Sequence, residues 1–173
     1  MVCEFCEILE RRSGKEQILF EDEEVVIAVR DLVFTPGQIT VFPKKHVPIL
    51  ENVEDPILKR CAVLTNKVSM AVFESFGSGG TNILIKNGLG AGQTMPHFGI
   101  EIIPRQEGDN LQLAWEGKSL AEDEQERTIL LLQEALANPP KNEEVEKLED
   151  KKEILKQKEG QENYLVKSQR RIP

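Results

Sequence analysis

The run Asn87-Gly88-Leu89-Gly90-Ala91-Gly92-Gln93-Thr94-Met95-Pro96-His97-Phe98-Gly99-Ile100-Glu101-Ile102-Ile103-Pro104-Arg105 constrains this chain more than any other segment. A glycine-rich turn leads into an apolar–polar alternation, and side chains on a strand repeat every two residues. The spacing predicts a strand over His97–Pro104, with residues 97, 99 and 101 on one face. Phe98, Ile100 and Ile102 then share the other face and point to a core.

The same reading, extended along the chain, gives an α+β fold. Residues 3–12 form a short amphipathic helix with Phe5, Ile8 and Leu9 on one side. Gln17–Phe20 and Val25–Arg30 are strands around an acidic turn, and the β-branched Val25, Val26, Ile27 and Val29 favour extended backbone. Pro36-Gly37 marks a turn before a third strand at Ile39–Phe42. Ile57, Cys61, Leu64, Val68, Val72 and Phe76 recur at spacings of three and four, so Asp55–Phe76 is a long helix that Gly77–Gly80 stops. Thr81–Lys86 supplies a fourth strand and His97–Pro104 a fifth. Antiparallel strands with one long helix packed across them follow. Ala121–Ala137 is a second good helix, with Ile129, Leu130, Leu132, Ala135 and Leu136 as its apolar surface.

The organisation expected is a domain over residues 1–115, a helix over 116–138 packed on it, and a charged, helical or partly disordered tail over 139–173. Asn138-Pro139-Pro140 marks the last break. Glu143–Glu159 is a solvated helix or, with its thin stripe of Val145, Leu148, Ile154 and Leu155, a docking helix for a protein partner. The net charge of −8 argues against general nucleic-acid binding, which depends on a basic surface. No apolar run reaches the roughly 18 residues that span a bilayer. Met1–Cys6 lacks a basic or apolar leader, so no membrane association and a cytoplasmic location are expected.

Cys3 and Cys6 form a C-x-x-C pair, and the chain has only two histidines, His46 and His97. Two thiolates and two imidazoles make a tetrahedral zinc set. A redox dithiol and an ordinary surface histidine at His46 are the competing readings of the same residues. Cys61 sits on the apolar stripe of the long helix and reads as a buried small hydrophobe.

C-x-F-C-x-I from Cys3, L-F-E-D-E from Leu19, P-G-x-I-T-V-F-P-K-K-H-V from Pro36 and N-G-x-x-A-G-Q-T from Asn87 together resemble the histidine triad (HIT) nucleotide hydrolases and transferases over Cys3–Arg105. The resemblance implies a homodimer, formed through the long helix and a neighbouring strand, that binds a purine nucleotide or nucleoside phosphate. It implies a structural zinc held by Cys3, Cys6, His46 and His97. Phe5, Ile8, Leu9 and Val29 match positions that sandwich the base, and Asp31 matches the ribose-binding acid, although the usual proline soon after it is missing. Asn87, Gly92, Gln93 and Thr94 match the phosphate-holding turn. There, glycines let backbone N–H groups approach an anion.

The departures cluster at the chemistry. The family's apolar-spaced triad of histidines is His97, Gly99 and Glu101 here, and Gln38 follows Gly37 where a histidine is usual. Gly99 cannot attack phosphorus. The expected function is therefore nucleotide binding without a phosphohistidine mechanism. Two alternatives are an active hydrolase or nucleotidyl transferase that uses Glu101 or a metal-bound water, with magnesium relieving carboxylate–phosphate repulsion, and an interaction module acting through the tail.

Overall fold

A computed structural model describes residues 3–11, 17–113 and 115–138. The chain divides into two compact units at residues 112 and 113, and each is described by itself. The tail expected over 139–173 lies outside the described residues.

In the first unit the element order is α1 (Glu4–Leu9), β1 (Ile18–Glu21), β2 (Val25–Ala28), β3 (Ile39–Pro43), α2 (Asp55–Phe76), β4 (Gly80–Leu84) and β5 (Ile100–Arg105). The five strands form one antiparallel sheet in the order β1-β2-β3-β5-β4. Short 3-10 turns occupy Leu50–Asn52 and Leu89–Ala91.

The period-2 rule divides the sheet cleanly. Val25 and Ile27 of β2, Ile39 and Val41 of β3, and Ile100 and Ile102 of β5 join Phe98 and the buried stripe Ile57, Cys61, Leu64, Val68 and Val72 of α2 in one cluster. Val26 and Ala28 of β2 and Phe42 of β3 face the other way and pack with Cys3, Phe5 and Ile8 of the N-terminal segment. Each fully buried Val, Leu, Ile or Phe side chain contributes roughly 1.5–3 kcal/mol. The α2 stripe is thus the largest single tie between helix and sheet.

Helix α2 matches its predicted limits because both ends are marked chemically. Pro56 lies in its first turn and Gly77 closes it in the left-handed conformation at φ 59°. Its last apolar residue departs from expectation. Phe76 is about half exposed, and its ring lies over the backbone of Gly37, where an added Cβ would stand 3.1 Å from ring carbons. The fifth strand also starts later than expected, at Ile100. Phe98 donates its N–H to the Val47 carbonyl instead of pairing within the sheet, so His97–Gly99 form a lead-in to the strand. The face alternation survives this shift.

In the second unit α3 spans Glu122–Ala137, and Ile129, Leu130, Leu131, Leu132 and Leu136 are exposed on it. No helix among the described residues is long and apolar enough to cross a membrane.

Phe42 is fully buried and stacks on Phe5 with ring centroids 4.4 Å apart. We expect Phe42→Ala to lower unfolding free energy in urea by about 3–5 kcal/mol, while Lys67→Ala, on the exposed side of α2, changes it by less than about 0.5 kcal/mol.

Candidate metal centre and ligand cleft

Two sites lie on the sheet face opposite α2, and they share His97. The first is a donor cluster. One ligand atom each from Cys3, Cys6, His46 and His97 lies within 4.8 Å of all the others. Cys3 Sγ is 3.4 Å and Cys6 Sγ 3.7 Å from His97 Nδ1, and Cys6 Sγ is 3.3 Å from His46 Nδ1. A tetrahedral zinc with Zn–S near 2.3 Å and Zn–N near 2.05 Å requires sulfur–nitrogen edges of about 3.5 Å. The cluster therefore has the size and the donor chemistry of such a site.

The backbone presents these donors from four places. Cys3 is the residue capping α1, Cys6 lies one turn further on, His46 follows β3, and His97 leads into β5. His97 Nε2–H donates to the Pro43 carbonyl at 2.9 Å, which fixes the tautomer that turns the Nδ1 lone pair toward the thiols. Burial pushes the His97 imidazole down to about 4, so it stays neutral. Burial and the neighbouring Cys3 thiol push the Cys6 thiol up to about 11. A divalent cation held by these four residues would reverse that thiol preference by supplying the charge that two thiolates need. Cys61 is fully buried on α2, as the helical stripe predicts, and is not among the four donors.

The second site is a cleft lined by Phe5, Arg30, Lys86, Gln93, Thr94, Met95, His97, Gly99 and Glu101. All three triad positions thus face one space, as the alternation predicts. Of the residues expected to touch nucleotide, Phe5, Gln93 and Thr94 line it. Ile8 is buried, and Leu9 packs on the same small cluster, whereas Val29 packs on the cluster facing α2. Asp31 lies exposed beyond β2.

The turn is built differently from the simple expectation. Gly88 and Gly92 adopt φ of +83° and +78°, a backbone region that non-glycine residues rarely enter. The N–H groups of Ala91, Gly92 and Gln93 donate to carbonyls within the turn, and the Gly88 N–H donates to Gln93 Oε1. Gln93 Nε2 donates to the carbonyls of Pro48 and Met95. Asn87 accepts from the Leu50 N–H and donates to the Glu51 carboxylate. These side chains brace the loop. Gln38 does the same elsewhere, because its Oε1 accepts from the Phe34 N–H at 2.7 Å.

Position 99 has no room for a side chain. A Cβ there would stand 2.8 Å from Cε2 of Phe5 and 3.2 Å from Cγ2 of Thr40. The Phe5 ring occupies the space that a side chain at 99 would need.

Arg30 and Lys86 were missed by motif reading, although each directly precedes a residue that was singled out, Asp31 and Asn87. Arg30 Nη1 donates to Glu101 at 3.1 Å, and its Nη2 and Nε donate to Glu4 at 2.7 and 3.1 Å. Burial alone would lower the pKa of this guanidinium, but Glu4 and Glu101 outweigh it and raise the pKa. Its Cζ lies 5.5 Å from the centre of the Phe5 ring.

His97→Ala and Cys3→Ser should release bound zinc and lower the melting temperature, as chelator should in the unaltered protein. Zinc content by atomic absorption should remain one ion per chain, within about 10%, in Cys61→Ala, which lies outside the donor set. Gly99→Ala should destabilise the protein by about 1–3 kcal/mol in urea unfolding, and Phe5→Leu in the same chain should reduce that penalty. Equal penalties in both backgrounds would show that Phe5 is not the obstacle.

Comparison with known proteins agrees with this architecture. The family description "HIT domain" matches residues 11–108. The adenylylsulfatase HINT3 of Arabidopsis thaliana is 32% identical over 118 residues, covering 68% of this chain but only 58% of that protein's length. The crystal structure of a HIT family protein from Bacillus anthracis is similar with a TM-score of 0.69 at 27% identity, over 80% of this chain and 97% of that one. A Zn-bound histidine triad family protein from Mycobacterium smegmatis is similar with a TM-score of 0.58 at 28% identity, over 68% of this chain and 85% of that one. With the family description covering more than half of its length, this chain belongs to the HIT domain family.

Proposed function

We propose that the protein binds a purine nucleotide or nucleoside phosphate in the cleft beneath the Asn87–Thr94 turn, without forming a phosphohistidine. The observation that carries this reading is the pairing of Phe5 with Gly99. The cleft keeps a braced turn, Thr94 and two cations, while an aromatic ring fills the volume where an attacking side chain would stand. The base and ribose contacts assigned to Phe5, Ile8, Leu9 and Asp31 and the phosphate contact assigned to Thr94 are part of this proposal; Val29, which packs on the α2 side of the sheet, and Asn87, Gly92 and Gln93, whose groups brace the turn, are left out of the contact set.

Zinc, on this reading, is structural. Four protein donors close the coordination shell and leave no position for substrate or activated water. The ion would tie α1 to the loop after β3 and the lead-in to β5, and would thereby hold Phe5 over Gly99. The alternative in which Glu101 works as a nucleophile or magnesium ligand is weakened by its surroundings. Its carboxylate is already engaged by Arg30 and faces Lys86, and two cations beside it oppose a third.

The family resemblance also supports a homodimer. On this chain the surface suited to it is the outer face of α2 with the edge strand β4. Met70, Phe73 and Ile83 are exposed there, and Ser69 Oγ and Thr81 Oγ1 lie 2.6 Å apart across the two elements.

Calorimetry should show saturable binding of AMP or GMP to the zinc-loaded protein. No heat with either, or with dinucleoside polyphosphates, would defeat the nucleotide reading. Light scattering should give twice the chain mass, and Phe73→Glu should halve it.

A further inference from the structure

The cleft contains a charge arrangement that no resemblance accounts for. Arg30 lies two residues beyond β2 and Lys86 two residues beyond β4, and in the sheet those strands flank β3 and β5. Both side chains converge on Glu101 of β5, at 3.1 Å from Arg30 Nη1 to Oε1 and 3.8 Å from Lys86 Nζ to Oε2. Glu101 Oε2 is buried and has no hydrogen bond, since 3.8 Å is beyond hydrogen-bond reach. The carboxylate is thus held by charge at one oxygen and left half satisfied. Lys86 lines the cleft, and its ammonium also rests over the Phe34 ring, 4.8 Å from its centre.

The remaining donors point the same way. The turn's own N–H groups at Gly88, Ala91, Gly92 and Gln93 are spent inside the loop. A phosphate in this cleft would therefore have to draw most of its attraction from Arg30 and Lys86. A guanidinium offers a planar fork and an ammonium three donors, and both suit phosphate oxygens.

Resting on the nucleotide reading, we propose that Glu101 is the resident anion of an Arg30–Lys86 cradle and that the phosphate of a nucleoside phosphate enters by competing with it. Arg30 and Lys86 are balanced in formal charge by Glu4 and Glu101. A phosphate that takes both cations leaves the Glu101 carboxylate uncompensated beside it in a partly desolvated site, and that repulsion opposes its entry. Glu101→Gln keeps the shape, removes the competitor and leaves the cradle with one net positive charge.

The test is calorimetry on the full-length, zinc-loaded chain with inorganic phosphate, AMP and adenosine. Glu101→Gln should tighten AMP and phosphate by about tenfold, leave adenosine within about twofold, and lose the gain when Lys86→Met is added. AMP affinity unchanged by Glu101→Gln, or a gain that survives Lys86→Met, overturns the cradle. AMP and adenosine both binding the unaltered protein, with no change in Glu101→Gln, overturns the cradle and leaves the nucleotide reading standing. A phosphate gain in Glu101→Gln with no preference for AMP over inorganic phosphate upholds the cradle and overturns the nucleotide reading. Absence of binding in every variant overturns both. If Glu101→Gln lowers the melting temperature, Lys86→Met alone decides: it should weaken AMP at least about fivefold in the unaltered background, and unchanged affinity overturns the proposal.

Discussion

The convergence of Cys3, Cys6, His46 and His97 on one point ties α1 to the sheet, and the shape of the cleft depends on that tie. Helix α1 has six residues, too few to hold itself together in water. It is kept in place by burying Phe5 and Ile8 against Val26, Ala28 and Phe42, and by presenting two thiols to two imidazoles. Because Cys3 and Cys6 bracket Phe5, whatever positions the thiols also positions the ring. A metal at this centre would act on the ligand cleft without touching a ligand.

Phe5 links the two sites. Its ring stacks on Phe42, meets the edge of His97 with centroids 5.3 Å apart, and lies where a Cβ of residue 99 would be. Glycine at 99 and phenylalanine at 5 are sterically coupled. Any side chain introduced at 99 therefore has to displace the Phe5 ring, which also stacks on Phe42 and meets the edge of His97. Around the same ring, Arg30, Glu4, Glu101 and Lys86 form a chain of ion pairs and near contacts.

The other sheet face does a simpler job. Helix α2 covers it with a stripe of buried side chains and leaves its outer face, with Met70 and Phe73, uncovered in the single chain. The face opposite α2 holds the cleft and, within it, the Glu101 oxygen that lacks a hydrogen bond.

Sequence alone was enough for the elements and for the grouping of residues by face. Period 2 in Phe98–Ile102 and period 3.6 in Asp55–Phe76 are local properties of the backbone, and both survive in the fold except at Phe76, which is half exposed. Cys3, Cys6, His46 and His97 were legible as a set that could hold a metal, because cysteine and histidine are scarce in this chain, and the fold brings the four together. Three features were decided only by tertiary structure. Phe5 fills the space at Gly99, Gln93 and Asn87 brace the loop with their side chains, and Arg30 and Lys86 turn inward to Glu101. Each depends on residues far apart in sequence meeting across the sheet. A long, flexible cation carries no periodic signal of whether it faces solvent or a buried carboxylate until the strands are paired.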